Sequence, residues 1–239
     1  SMVMSDEEKR LTAYHEAGHA IVALHCPDSD PIHKATIIPR GRALGMVMRL
    51  PESDRLSVSK ARLLADLKVA CGGRIAEELM FGEEKITTGA SSDIRMVSDM
   101  ARRMITEWGM SDKLGFLAYS ADQQEVFLGH SVTQQKNVSD ATSKIIDDEI
   151  RRITDETFED ARRILVENFH ELETLGAGLI EYETLSGDEI KRLLAGENIR
   201  DDHDSSHPSA PVSGKRSSVP TGGDGSLPGG IAPDPQPGD

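Results

Sequence analysis

The stretch from Asp6 to Cys26 constrains this chain most. Leu11, Tyr14, Ala17, Ile21 and Leu24 recur at steps of three and four, the period of an α-helix, and Pro27 closes the run. About five turns of helix are expected there, so the fold must be built around a long helix close to the N-terminus.

The next signals are mixed. Lys34–Ile38 and Gly45–Leu50 are short apolar or β-branched runs separated by Pro39-Arg-Gly-Arg-Ala-Leu, which predicts two strands joined by a loop. Ser57 caps a predicted helix running to Phe81 and closed by Gly82, and Ser91 or Ser92 caps another running to Trp108 and closed by Gly109. Gly115–Ser120 reads as a third strand. From Asn137 to Phe169 one apolar stripe (Val138, Ala141, Ile145, Ile146, Ile150, Ile153, Phe158, Ala161, Ile164, Leu165, Phe169) predicts a long helix or one arm of a helical hairpin. Ser186-Gly-Asp-Glu189 fits a capping box ahead of Ile190, Leu193 and Leu194, and so a last short helix. The expected class is therefore mainly α with a small β-sheet, an α+β fold.

Composition sets the outer limits. After Ala195 the chain turns rich in Asp, Ser, Gly and Pro: between Pro208 and Asp239, 7 of 32 residues are Pro and 7 are Gly, too few large apolar groups to offset the entropy of ordering. Residues 196–239 are expected to be a disordered tail. Ser1-Met2 reads as a cloning remnant, residues 1–5 as remnant and linker, and the whole as an excised piece. The longest apolar run, Ala20–Leu24, is far short of the roughly 20 residues a spanning helix needs, so a soluble chain without direct membrane contact is expected. With 27 basic and 41 acidic residues the net charge is −14, which disfavours nucleic acid as a partner. Two cysteines, Cys26 and Cys71, form no CxxC and no ladder, which argues against a disulfide framework or a thiolate metal site.

The chemistry lies in the first helix, as His15-Glu16-Ala17-Gly18-His19. A spacing of four puts both imidazoles on one face, about one turn apart, as a shared zinc ion requires. Zinc takes imidazole nitrogen at about 2.0 to 2.1 Å. It lowers the pKa of a bound water from about 15.7 towards 7, and a carboxylate one position along, Glu16, can take that water's proton and pass it to a leaving amine. An HExxH arises by chance in roughly one chain per hundred of this length at average composition, and two ordinary helix histidines are the bland alternative. Gly18 weighs against it, because a mid-helix glycine costs about 1 kcal/mol relative to Ala and suggests that another segment approaches closely.

A hydrolytic zinc site needs a third protein ligand. His25 occupies the place of the third histidine in a metzincin pattern, but Val22 stands where that pattern turns at glycine, so the helix should carry His25 about 120° away from His19. It is rejected. Glu77 and Glu78 lie on a predicted helix and could reach in, while Asp93, after the Gly89-Ala-Ser-Ser lead-in, could point outward from a helix start or simply favour its dipole. Spacing leaves these open. Met46, Met48, Met80, Met96, Met100 and Met104 are read as packing, Trp108 as a packing anchor, and Arg40 and Arg42 as solvated loop residues.

Five ordered blocks carry a resemblance: Thr12-Ala-Tyr-His-Glu-Ala-Gly-His-Ala20, Thr36-Ile-Ile-Pro-Arg-Gly41, Gly72-Gly-Arg74, Ala76-Glu-Glu78 and Thr88-Gly-Ala-Ser-Ser-Asp93. Together, over about residues 6–195, they resemble the peptidase domain of FtsH-type ATP-dependent zinc metalloproteases. The resemblance implies His15, His19 and Asp93 as ligands of one zinc ion per chain and Glu16 as catalytic base. It implies a homohexameric ring, unfolded protein substrates in quality control, and an AAA+ ATPase domain on the same parent chain that delivers them. The parent would be anchored in the bacterial inner membrane by N-terminal helices, with the peptidase on the cytoplasmic side. Ser92 stands where Asn is commonest in the family. No GxxxxGK[ST] loop occurs here, so ATP belongs to the absent domain. Substrate is expected to add to a sheet edge, with Gly45, Met46, Val47 and Met48 as the candidate strand. The alternative reading is a ring-forming scaffold with little activity apart from its motor.

Overall fold

Two glycines let the two principal helices touch backbone to backbone. In the computed structural model, which describes residues 3–119 and 138–199, α1 (Asp6–Leu24) crosses α2 (Lys60–Phe81) at Gly18 and Gly72. A Cβ on Gly18 would lie 2.2 Å from the Gly72 carbonyl oxygen, and one on Gly72 would lie 2.6 Å from the Gly18 oxygen. The close approach expected from Gly18 is therefore met by α2. Around this crossing α1 is enclosed by α2, by α5 (Phe169–Tyr182) and by the sheet, and nearly every residue from Thr12 to Ala23 is buried.

Both ends of α1 are chemically marked. Ser5 and Glu8 form a reciprocal capping box at its start, with Asp6, Glu7 and Glu8 in the positive first turn. The helix stops at Leu24, with His25 as cap ahead of Pro27. The sheet is β2 (Met46–Arg49), β1 (Ile32–Thr36) and β3 (Thr184–Ser186), in that order and antiparallel throughout. Ala35 of β1 faces Val47 on one side and Leu185 on the other, and Ala35 and Leu185 are fully buried. The strand β2 stands at one end of that order, with β1 as its partner.

α3 (Ser91–Thr106) and α4 (Asp140–Glu167) complete the body with α6 (Gly187–Leu194). Of the predicted α4 stripe, Ile146, Ile153, Ala161 and Leu165 are buried, while Ile145 is exposed. The capping box Ser186–Glu189 forms as expected at α6.

Four expectations are corrected. The cap of α2 is Ser59, not Ser57. Neither Ser91 nor Ser92 caps α3: a 3₁₀ turn, Thr88–Ala90, leads straight into it, and the Ser91 hydroxyl donates to the Thr88 carbonyl. Among the described residues no strand forms over 115–119. Gly115 has φ +70, Phe116 and Leu117 are exposed, and the Gly115 and Tyr119 N–H groups donate to Ser111 and Thr106 near the end of α3. The third strand is instead Thr184–Ser186, too short to show a period of two, and it follows a helix, α5, that the stripe analysis did not separate. Ile199 is buried; the tail from residue 200 and the start of the predicted 137–169 helix at Asn137 lie outside the described residues. Among the described residues no helix is long and apolar enough to cross a membrane.

Candidate metal centre

The α1–α2 crossing brings His15 and His19 against α2 at Gly73. A Cβ there would lie 2.4 Å from His15 Nε2 and 2.6 Å from His19 Nε2. Each ring is held from behind. His15 Nδ1 is 2.8 Å from Glu77 Oε2, and His19 Nδ1 is 2.6 Å from the Val69 carbonyl. A carbonyl and an ionised carboxylate only accept, so both Nδ1 atoms carry a proton, and a ring that is neutral turns an Nε2 lone pair forward.

Those two Nε2 atoms stand 3.1 Å apart. With both Nδ1 atoms already protonated, two ring nitrogens this close need a positive charge between them, either a proton on His15 Nε2 or a metal ion in its place. Asp93, in the first turn of α3, places Oδ2 at 3.3 Å from His15 Nε2 and 3.4 Å from His19 Nε2. Edges of that length belong to a tetrahedron whose centre is about 2.0 Å from each corner, the bond length of zinc to imidazole nitrogen or carboxylate oxygen. Among the described residues this is the one group of three such donors. The donor set and spacing fit zinc.

The electrostatics follow from crowding. Burial, the largest influence on the His15 imidazole, pulls its pKa down, but hydrogen bonds to Asp93 and Glu77 and the charge of Glu16 carry it up to about 9. Burial pushes the Asp93 and Glu77 carboxyls up, yet the imidazoles beside Asp93, and His15 with Thr87 beside Glu77, hold both below the ordinary carboxylate range. Glu16 is different: burial pushes its carboxyl up against the pull of His19 and His15. It is 7% exposed and lines the same cleft, of about 640 Å³, as the three donors.

Gly45, Met46 and Val47 form part of the cleft wall, and Met48 does not. The remaining candidates are elsewhere. Glu77 is fully buried, with one oxygen on His15 Nδ1 and the other on Thr87; it braces a ring from the side away from Asp93. Glu78 pairs with Arg162 at 2.8 Å, and His25 with Glu171 at 2.7 Å. The part of Glu77 was missed in the sequence because a brace and a ligand are both helical carboxylates; only the ring atom approached tells them apart. Of the methionines, Met104 is core and Met46 and Met96 line the cleft. Trp108 is no buried anchor: it is part-exposed, with the Arg103 guanidinium 4.6 Å above its ring. Arg40 and Arg42 are exposed, Arg42 at the cleft. Cys26 and Cys71 are buried and unpaired, and burial lifts the Cys71 thiol to about 12.

A helix-borne pair of imidazoles, a third donor carboxylate and a second, buried carboxylate beside them form the kind of donor set that zinc metallopeptidases use. Residues 2–193 match the sequence profile of peptidase family M41, and the chain belongs to that family. It is similar to proteins named ATP-dependent zinc metalloprotease FtsH: 57% identical over 196 residues to that of Caulobacter vibrioides, covering 82% of this chain and 31% of the relative. For Rickettsia bellii the figures are 50% over 208 residues, 87% and 32%. For Haemophilus influenzae they are 47% over 199 residues, 83% and 31%. The chain thus spans about a third of the length of the curated relatives it matches.

Proposed function

We propose that this chain is an endopeptidase domain that hydrolyses peptide bonds in unfolded polypeptide, with one zinc ion held by His15, His19 and Asp93. The observation that carries the reading is the meeting of His15 Nε2, His19 Nε2 and Asp93 Oδ2 at 3.1 to 3.4 Å. When bound, zinc supplies a Lewis acid for the scissile carbonyl and an acidified water. Glu16, one residue from His15 and lifted by burial, takes a proton from the attacking water and delivers it to the departing amine nitrogen. Glu77 and the Val69 carbonyl keep both Nδ1 atoms protonated, so that both Nε2 atoms remain donors.

Substrate adds as an extended strand to the side of β2 away from β1, which carries no strand among the described residues and where main-chain hydrogen bonds read no particular sequence. We assign residues 6–195 to the peptidase domain, residues 1–5 to a leading linker and residues 196–239 to a tail. The relatives' names tie them to ATP, and their remaining two thirds leave room for an AAA+ module that unfolds and delivers substrate. On that basis the parent protein forms a ring of six and is anchored in a bacterial inner membrane, with this domain on the cytoplasmic side. A scaffold without activity is disfavoured, because it would leave a complete donor set beside a buried carboxylate without use.

Two variants test the reading. Glu16→Gln should keep about one zinc per chain and lose at least ~10²-fold in cleavage of an unfolded protein substrate; unchanged turnover overturns it. Asp93→Ala should lose most of its zinc, and equal metal content in both proteins removes Asp93 from the ligand set.

A further inference from the structure

The metal donors come from two elements whose relative place is set largely through α2. His15 is carried by α1 and Asp93 by α3, and the segment ahead of α3 reaches the site by way of Thr87. That residue is gripped by α2 on each of its polar groups. Its N–H donates to Glu77 Oε1 at 3.0 Å and its hydroxyl donates to the same oxygen at 2.6 Å. Its carbonyl accepts from Arg74 Nη2 at 3.1 Å. The hydroxyl oxygen also accepts from the Gly89 N–H at 3.1 Å, which closes the 3₁₀ turn leading into α3. Glu77 Oε2 meanwhile accepts from His15 Nδ1.

We propose that Thr87 is a positioning residue for the metal centre, coupling the place of Asp93 to the orientation of His15 through the single carboxylate of Glu77. This rests on the reading of His15, His19 and Asp93 as the zinc ligands. Thr87 touches neither metal nor substrate. Its effect is geometric: Glu77 is fully buried, so its two oxygens take their donors from fixed neighbours, and a shift at Oε1 turns Oε2 and the His15 ring with it. Loss of the hydroxyl removes one of the two Thr87 bonds on Oε1 and also the acceptor for Gly89. The carboxylate and the α3 lead-in then loosen together. A partner bonded directly to a ligating histidine, as Glu77 is, changes metal affinity by about 10 to 100-fold, and Thr87, one hydrogen bond further out, acts at the lower end of that range.

The test compares Thr87→Val, which keeps the shape and deletes the hydroxyl, with Thr87→Ser, which keeps the hydroxyl. Zinc affinity is read by chelator competition on the full chain, together with the visible absorption band of the cobalt-substituted protein and the metal-free melting temperature. Thr87→Val should bind zinc about tenfold more weakly and alter the cobalt band, while Thr87→Ser stays within about threefold of the parent. A purely structural role would lower the metal-free melting temperature and leave affinity and band unmoved; that result overturns the proposal. If Thr87→Val does not fold, Arg74→Met, which frees the Thr87 carbonyl and spares the Glu77 bonds, must weaken zinc at least threefold, and unchanged affinity again overturns it. Asp93→Ala run alongside separates the two failures. If it retains zinc, the ligand assignment falls; if it loses zinc while Thr87→Val does not, only the role of Thr87 falls.

Discussion

Gly73 shows how one missing methyl group makes room for a metal centre. Its Cα faces both Nε2 atoms, and the rings cannot retreat because Glu77 and the Val69 carbonyl hold them from behind. Gly73→Ala should therefore push the two donors apart and weaken zinc binding tenfold or more. Alanine is the better helix former by about 1 kcal/mol, but its methyl presses on rings that are held in place, so the metal-free protein should melt lower than the parent as well. Chelator competition and thermal unfolding check the two halves of this expectation, and a fall in melting temperature with zinc affinity intact contradicts it. Sequence reasoning found His15, Glu16 and His19 but gave Gly73 no role beyond its place in the Gly72-Gly-Arg74 block, since its effect is exerted on residues more than fifty positions away.

Between α1 and α2 the balance reverses. A methyl on Gly18 would meet the backbone oxygen of Gly72, which has no rotamer to escape into. Gly18→Ala should cost about 1–3 kcal/mol in urea unfolding, the usual range for overpacking, in spite of its gain in helix propensity. Equal stability of parent and variant would show that the crossing can widen freely. For β2, a proline in place of Val47 should raise KM for an unfolded substrate and leave zinc content near one per chain, because the strand borders the cleft while the ligands come from helices. An unaltered KM removes β2 as the substrate strand.

A buried carboxylate on α4, bonded within its helix and to the segment after α3, gives the body a pH dependence. Glu149 on α4 is buried; the Arg152 guanidinium beside it, at 2.6 Å, and the Ser111 hydroxyl hold its carboxyl down at about 2, against the opposing effect of burial. A carboxyl depressed on folding contributes stability that is complete above its unfolded value, near 4.5, and disappears as pH falls through about 2. Glu149→Gln should therefore be less stable than the parent at pH 7, by about 1–3 kcal/mol for the loss of a charged hydrogen-bonded group. The difference should shrink steadily between pH 4.5 and 2. Melting temperatures across that range check it, and a constant difference would mean that charge is not the cause.

The chain's own periodicities and caps were enough to announce the α1 helix, the α6 capping box, the small sheet and the HExxH face, because each is written in residues a few positions apart. The strand Thr184–Ser186 and the separate helix α5 escaped detection: three residues show no period, and the apolar stripe of α4 runs on into its neighbour. The third donor is the clearest division. Spacing left Glu77, Glu78 and Asp93 open, and the family resemblance implied Asp93. Where each carboxylate sits depends on how α2 and α3 dock against α1. One oxygen of Glu77 reaches Nδ1 of His15, and one oxygen of Asp93 reaches Nε2 of both rings. Local sequence carries the chemistry of these groups, but which atom each one meets is set by packing between residues 62 to 78 positions apart.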